Sequence, residues 1–234
     1  HCEAPGLPDS LCWVPRSRIE PQADQIEIRI ECSTLNFKDL MKVRGMLSDV
    51  ALTNTYLGDS LGLEAVGVIV RAGKQVKHLN VGDRVQGFTA NALGSYVTEK
   101  ANLFTLTHSE NPLDSTSYFA YTTACQAVRH SGNLQAGQSV LIHSATGGVG
   151  LACVHYARAI GAVIYATAGT DEKRDYLRGL GIEHVFDSRT LDYAEQILAS
   201  TNGIGVDVVV NSLAGAAFIR NFDVIAPGGR YIEL

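Results

Sequence analysis

In the first hundred residues, apolar positions come in short runs with a period of two. Ile26, Ile28 and Ile30 alternate with Glu27, Arg29 and Glu31, the signature of a strand with one face buried. GLEAVGVIV (Gly62 to Val70) predicts a second strand. VGDRVQGF (Val81 to Phe88) predicts a tight turn leading into a third, and SYVTEKANLFTL (Ser95 to Leu106) one or two more. Short strands broken by glycine-rich turns predict a small barrel or sandwich. Near Thr107 the pattern changes. A helix is predicted over Asp114–His130, and thereafter strands and helices alternate.

SVLIHSA (Ser139 to Ala145) reads as a strand. Val149, Ala152, Cys153, Tyr156, Ala157 and Ile160 then follow the i, i+3, i+4, i+7 spacing of one helix face, with Gly161 as its C-terminal cap. AVIYATA (Ala162 to Ala168) is the next strand. Thr170 has the character of an N-cap, with Asp171 and Glu172 in the first turn of a helix running to about Leu180. A strand at His184–Phe186, a helix at Leu191–Ala199, a strand at Val206–Ser212, a helix at Ala216–Ile225 and a strand at Arg230–Leu234 complete the pattern. This rhythm predicts a parallel, doubly wound sheet.

Composition narrows the function. A hydrophobic content of 46% builds a core, and 18% charged residues is too few for a disordered chain. The net charge of -5 and the lack of a basic run argue against nucleic acid or an anionic membrane as partner. No apolar run approaches the roughly 20 residues that cross a bilayer. The five cysteines, Cys2, Cys12, Cys32, Cys125 and Cys153, are odd in number and contain no CxxC pair. They read as reduced thiols of a cytoplasmic protein. The chain begins at His1 rather than Met and stops inside a predicted strand, which reads as a piece of a longer polypeptide.

Candidate chemistry centres on Ala145, Thr146, Gly147, Gly148, Val149 and Gly150, placed between a predicted strand and a predicted helix. The dinucleotide fold holds a pyrophosphate at such a turn, where glycines let the backbone approach and the helix N-terminus offers unpaired N–H groups. Ala145 stands where the first glycine of the usual pattern would be. Enzymes specific for NAD place an acid about 20 residues on, for the ribose 2′-hydroxyl. Here the second strand ends at Ala168, Gly169 and Thr170, with no acid at its tip. Lys173 and Arg189 are placed to reach a 2′-phosphate, so NADPH is the expected cofactor. For Arg174 and Arg178 a solvated surface charge competes seriously with a phosphate contact, less so for Lys173.

The layout of a β domain before a nucleotide domain resembles the medium-chain dehydrogenase/reductase superfamily. Its zinc members use a Cys and a His-Glu pair in the first domain. Leu63 occupies that His position, LNFKDL (Leu35 to Leu40) offers no Cys, and the seven His are scattered. No metal site is therefore expected, since zinc needs about three or four spaced N or S ligands.

LNFKDLMKVRGM (Leu35 to Met46), LGLEAVGVI (Leu61 to Ile69), VGDRVQGF, HSATGGVGLA (His143 to Ala152), SRTLDY (Ser188 to Tyr193), VDVVVNSLAG (Val206 to Gly215) and PGGRYIEL (Pro227 to Leu234) together resemble one branch of that superfamily. That branch is the enoyl reductase domain of type I polyketide and animal-type fatty acid synthases. The resemblance implies an α/β fold with an N-terminal GroES-like β-barrel domain (residues 1–108). A doubly wound Rossmann domain (residues 109–234), incomplete at its C-terminal end, would follow. It implies NADPH-dependent reduction of an α,β-unsaturated acyl thioester held on an acyl carrier protein, beside the other domains of the same synthase, with a homodimer allowed for.

The resemblance also assigns residues. Lys173 and Asp192 match the family's proton-delivery pair, so Lys173 has two competing roles, proton donor or 2′-phosphate contact. Asn211, followed by Ser212 and Leu213, matches the residue near the nicotinamide ribose. Thr123 matches the Thr beside the nicotinamide, Asn36 the Asn near nicotinamide and substrate, and Thr170 belongs with the cofactor contacts. Two positions depart. Phe37 stands where many polyketide members carry the Tyr linked to the stereochemistry of α-protonation, and Cys125 replaces an aromatic. The alternatives are a free-standing zinc-independent quinone or enone reductase, and an inactive structural or dinucleotide-sensing domain.

Overall fold

The alternation around Ile26 produces strand β1, Gln25–Ser33, in the computed structural model, which describes residues 1–53 and 55–234. β2 (Glu64–Ala72), β3 (Arg84–Phe88), β4 (Tyr96–Lys100) and β5 (Phe104–Leu106) join it in an antiparallel sheet of order β4-β1-β2-β3-β5. Two short helices, α1 (Phe37–Val43) and α2 (Asp49–Thr53), lie between β1 and β2. β4 and β5 sit at opposite edges of this order yet are joined by one 3-10 turn, Ala101–Leu103. Flat, the edges would stand about 19 Å apart at ~4.8 Å per strand. A 3-10 turn of that length spans only about 8 Å. The sheet therefore curls toward a barrel, around Ile26, Ile28, Ile69, Leu79, Val85 and Phe104.

β1 departs from simple alternation at one place. Glu27 lies between two core isoleucines and is itself fully buried. Its carboxylate accepts from Arg18 Nε at 2.8 Å and Arg71 Nε at 2.6 Å, while Arg71 also pairs with Glu20. These two guanidinium groups hold the Glu27 pKa down at about 2. A carboxylate whose folded pKa lies below its unfolded value stabilises the fold above about pH 4.5 and loses that contribution as pH falls toward 2. Glu27→Gln is expected to lower the unfolding free energy at pH 7 by about 2 kcal/mol and to flatten its pH dependence below 4.5. Urea unfolding at neutral and acid pH checks both. An unchanged acid slope in the variant would refute the assignment.

The chain divides into two compact units, His1–Phe119 and Ala120–Leu234. The second is built on five parallel strands, β6 (Ser139–Ile142), β7 (Val163–Ala168), β8 (His184–Asp187), β9 (Val206–Asn211) and β10 (Ile225–Glu233). Their order is β10-β9-β6-β7-β8. Counted within the unit this is the doubly wound order 3-2-1-4-5. Successive residues alternate between two cores. Val140, Ile142, Ala166, Ala168, Val208 and Val210 face α4 (Gly148–Ile160) and α5 (Asp171–Gly179). Leu141, Tyr165 and Val209 face α6 (Tyr193–Ser200). Gly161 ends α4 in the left-handed conformation, φ 82°.

Two predicted helices differ. The segment over Asp114–His130 is not one helix. Asn111 caps a 3-10 turn at Pro112–Ser115, and Ser117 takes φ 128°, which no helix accommodates. α3 (Tyr118–Ala124) begins only afterwards and widens into a π-helix over Cys125–Ser131, closed by Gly132 N–H donating to Ala127 O at 2.8 Å. The helix predicted over Ala216–Ile225 stops early. α7 (Ala216–Arg220) tightens into a 3-10 turn, and Ile225 already starts β10, because Val206 N–H donates to Val224 O and draws that segment toward β9. Among the described residues no helix is long and apolar enough to cross a membrane.

Candidate functional site

All five strands of the second sheet run parallel, so every segment leaving a strand end lies along one edge. That edge collects His143–Gly150 after β6, Gly169–Lys173 after β7, Asp187–Asp192 after β8 and Asn211–Leu213 after β9. β6 and β9 are neighbours whose connections depart in opposite directions, the place where open α/β sheets form a ligand crevice. The two segments meet there, Ser212 Oγ donating to Ser144 Oγ at 2.9 Å.

The turn after β6 is closed by its own backbone. Ser144, not Ala145, takes the left-handed conformation, φ 50°. Its carbonyl accepts from Gly147 N–H at 2.8 Å. Ala145 is fully buried and needs no glycine, which explains the departure from the usual first position. A Cβ on Gly150 would lie 2.3 Å from Ser144 O and 2.7 Å from Ala145 Cα, so α4 crosses its own turn in van der Waals contact. A Cβ on Gly148 would meet only Ala120 Cβ, at 3.8 Å. The fold demands glycine at 150 and not at 148. Gly147 and Gly148 are exposed, no acid lies in the first turn of α4, and its first N–H groups have no intrahelical partner. Such an end suits an anion.

Farther along the edge four cations divide into two kinds. Arg174 is not a solvated charge. Its guanidinium is largely buried, donates to Ala168 O at 3.0 Å and pairs with Asp171 and Asp187. Arg178 pairs with Asp175 at 2.7 Å. Arg189 Nε donates to Gly169 O at 2.7 Å, which sets its exposed guanidinium at the tip of β7. Thr170 caps α5, its Oγ1 accepting from Lys173 N–H at 3.4 Å. The Lys173 ammonium is exposed, and among the described residues no carboxylate pairs with it. Asp192 occupies the N-cap position of α6, also exposed, without capping that helix through its side chain.

Asn211 is fully buried, with both ends of its amide engaged. Nδ2 donates to Leu213 O at 2.7 Å and to Glu233 Oε2 at 2.9 Å, while Oδ1 accepts from Leu213 N–H at 3.1 Å. Thr123 lies on α3 and lines an open groove of about 380 Å³ with Gln126, Glu233 and Leu234. Asn36 belongs to the first unit, at the N-cap of α1. Its N–H donates to Asp39 Oδ2 at 2.9 Å, and its amide reaches Thr34 Oγ1 at 3.4 Å. Thr34 in turn bonds the buried carboxylate of Glu64, whose other oxygen accepts from Phe119 N–H at 2.7 Å. Glu64 was legible only as half of a missing metal pair. Its neighbour Leu63 is fully buried in the core.

Two family models match the chain. One described as an alcohol dehydrogenase GroES-like domain covers residues 22–109, and one described as a zinc-binding dehydrogenase covers residues 148–234. The donor set does not fit a zinc ion. Among the described residues no group of three or more His, Cys, Asp or Glu can hold a metal. A phenolphthiocerol/phthiocerol polyketide synthase polypeptide of Mycobacterium tuberculosis is 43% identical over 237 residues, which take in 99% of this chain. The chain spans only 10% of that relative. Among solved structures, the CurK enoyl reductase superposes with a TM-score of 0.93 at 36% identity, covering 99% of this chain and 71% of that one. The Escherichia coli quinone oxidoreductase complexed with NADPH reaches 0.87 at 26% identity, covering 98% and 70%. The chain belongs to the enoyl reductases of polyketide synthases, within the medium-chain dehydrogenase/reductase superfamily.

Proposed function

We propose that this chain reduces an α,β-unsaturated acyl thioester, carried on an acyl carrier protein of the same cytoplasmic synthase, with NADPH as hydride donor. The observation that carries the reading is the carboxyl edge of the parallel sheet, which collects the open N-terminus of α4 and two exposed cations. Bound NADPH supplies a hydride to the β-carbon. The residues do the rest. The N–H groups at Gly148–Gly150 hold the pyrophosphate, and exposed Gly147 and Gly148 let it approach. Lys173 and Arg189 hold the 2′-phosphate, with Thr170 setting the first turn of α5 between them. Ser212 and Leu213 border the crevice on the β9 side. Asn36 and Thr123 serve the nicotinamide end.

Reduction leaves negative charge on the thioester oxygen and requires a proton at the α-carbon. Asp192 and Lys173, both exposed on the edge segments, match the family's proton-delivery pair, a role that for Lys173 competes with the 2′-phosphate contact. Phe37 has no acidic hydrogen and takes no part in protonation. The test is NADPH oxidation by the domain with a crotonyl-type thioester. Turnover of that thioester is expected. Turnover of quinones with none of the thioester would replace this reading by a quinone reductase, and NADPH binding with neither would leave a dinucleotide-sensing domain.

A further inference from the structure

Beneath the carboxyl edge lies a layer of buried polar side chains drawn from five separate segments of the chain. Thr167, His143, Asn211, Asn221 and Tyr193 are each at most 2% exposed. They sit on one face of the sheet, directly above the apolar layer of Leu141, Tyr165 and Val209. His143 Nδ1 lies 2.9 Å from Thr167 Oγ1, and its Nε2 lies 2.7 Å from Asn221 Oδ1. Tyr193 OH donates to the same Asn221 Oδ1 at 2.8 Å. Asn221 Nδ2 donates to Asn211 Oδ1 at 2.9 Å and to Tyr231 OH at 3.4 Å.

One backbone group sets the direction of the whole chain. Leu213 N–H can only donate, so the atom of Asn211 facing it is the carbonyl oxygen. Asn221 must then turn its NH2 toward that oxygen, and its own oxygen toward His143. His143 Nε2 therefore carries the hydrogen, its Nδ1 accepts, and the Thr167 hydroxyl donates. Donation runs Thr167 to His143 to Asn221 to Asn211 and ends on the Glu233 carboxylate, which only accepts. Burial reinforces the neutral imidazole, pushing the His143 pKa down to about 4. Bonds aligned in one sense polarise one another in a low dielectric.

We propose that Asn221 and His143 are positioning residues that lock the Asn211–Leu213 turn in the shape that receives the nicotinamide half of the cofactor. The inference rests on the assignment of that edge to a nicotinamide dinucleotide. It explains why Asn211 acts without an exposed atom: its amide spends its bonds on the Leu213 N–H and carbonyl, so Ser212 and Leu213 present the surface. Asn221 is the link between the sheet and the turn.

The experiment compares Asn221→Asp with Tyr193→Phe in the full chain. Asn221→Asp keeps an acceptor toward His143 and Tyr193 and replaces the amide nitrogen that donates to Asn211 and Tyr231 OH by a carboxyl oxygen facing the Asn211 carbonyl. Tyr193→Phe removes a buried bond and leaves the link to Asn211 in place. Two readouts that do not require turnover are taken: the NADPH dissociation constant from the fluorescence of the bound nucleotide, and hydrogen exchange of the Leu213 amide without nucleotide. Asn221→Asp is expected to weaken NADPH binding at least ~10-fold, a ΔΔG of about 1.4 kcal/mol, and to speed Leu213 exchange. Tyr193→Phe is expected to lower the melting temperature and leave both readouts near wild type. A folded Asn221→Asp protein with unchanged affinity and exchange overturns the proposal, as does an equal loss of affinity in Tyr193→Phe. If Asn221→Asp does not fold, wild-type Leu213 decides, since an amide exchanging at the solvent rate also overturns it. Should the wild type bind no dinucleotide, the cofactor assignment fails, while the exchange contrast still tests the lock.

Discussion

Valine in place of Gly148 is expected to leave the protein folded and to abolish NADPH binding. The position lies in the first turn of α4, and a Cβ there would meet only Ala120 Cβ, at 3.8 Å. Glycine within a helix is itself unfavourable by roughly 0.5–1 kcal/mol relative to alanine, so the substitution has little stability to lose. What it fills is the approach to the N–H groups at the helix end. A branched side chain there displaces a pyrophosphate from hydrogen-bonding distance, and a loss of more than about 100-fold in affinity follows from losing two or three charge-assisted bonds at about 1.5 kcal/mol or more each. Gly150→Val gives the contrasting result. Its Cβ would lie 2.3 Å from Ser144 O, against backbone rather than a flexible side chain. That variant is expected to lose at least ~3 kcal/mol of stability and to fail to accumulate folded protein. Thermal melts beside a fluorescence titration separate the two. Normal NADPH affinity in folded Gly148→Val would remove the pyrophosphate from this turn.

Lys173→Ala is expected to raise the NADPH dissociation constant roughly 10- to 50-fold, on about 1.5–2.3 kcal/mol for one charged hydrogen bond to phosphate, with the NADH constant nearly unchanged. The neighbouring cations cannot replace it. Arg174 is tied to Asp171, Asp187 and Ala168 O, and Arg178 to Asp175. Arg189 remains, held at Gly169, and limits the loss. The same variant resolves the second role of Lys173. A proton donor is worth typically 10²–10⁴ in rate, so its loss would lower kcat at saturating NADPH by about 100-fold or more. A rise in the NADPH constant with kcat preserved assigns Lys173 to the phosphate. A fall in kcat with equal effects on NADPH and NADH binding assigns it to the proton and sinks the phosphate role.

The legible part of the protein rests on local patterns. The alternation around Ile26 and Ile28, the helical spacing from Val149 to Ile160, and Gly161 beyond it each describe a segment shorter than twenty residues, and each became the predicted element. The turn after β6 was recognisable because strand, glycines and helix are adjacent in sequence. Where neighbours in space are distant in sequence, the pattern misled. Glu27 has the period of a solvent-facing residue and is buried, because Arg71, 44 residues away, reaches over it. Arg174 reads as a surface charge or a phosphate contact and is committed to Asp187. The helix over Asp114–His130 is broken by a positive φ at Ser117, a residue with no intrinsic preference for that conformation.

By itself the sequence determined the strand and helix rhythm, the two-part α/β architecture, the glycine turn, and the lack of zinc-ligand spacing at Leu63. These follow from side-chain periodicity and residue type, which act over one or two turns of chain. Only the tertiary structure decided which glycine the fold itself requires, which cations are left exposed at the edge, and that His143, 78 residues before Asn221, joins it under the crevice. Hydrogen-bond closure and charge pairing are satisfied by whatever group the fold brings within about 3 Å, and no local pattern records that choice.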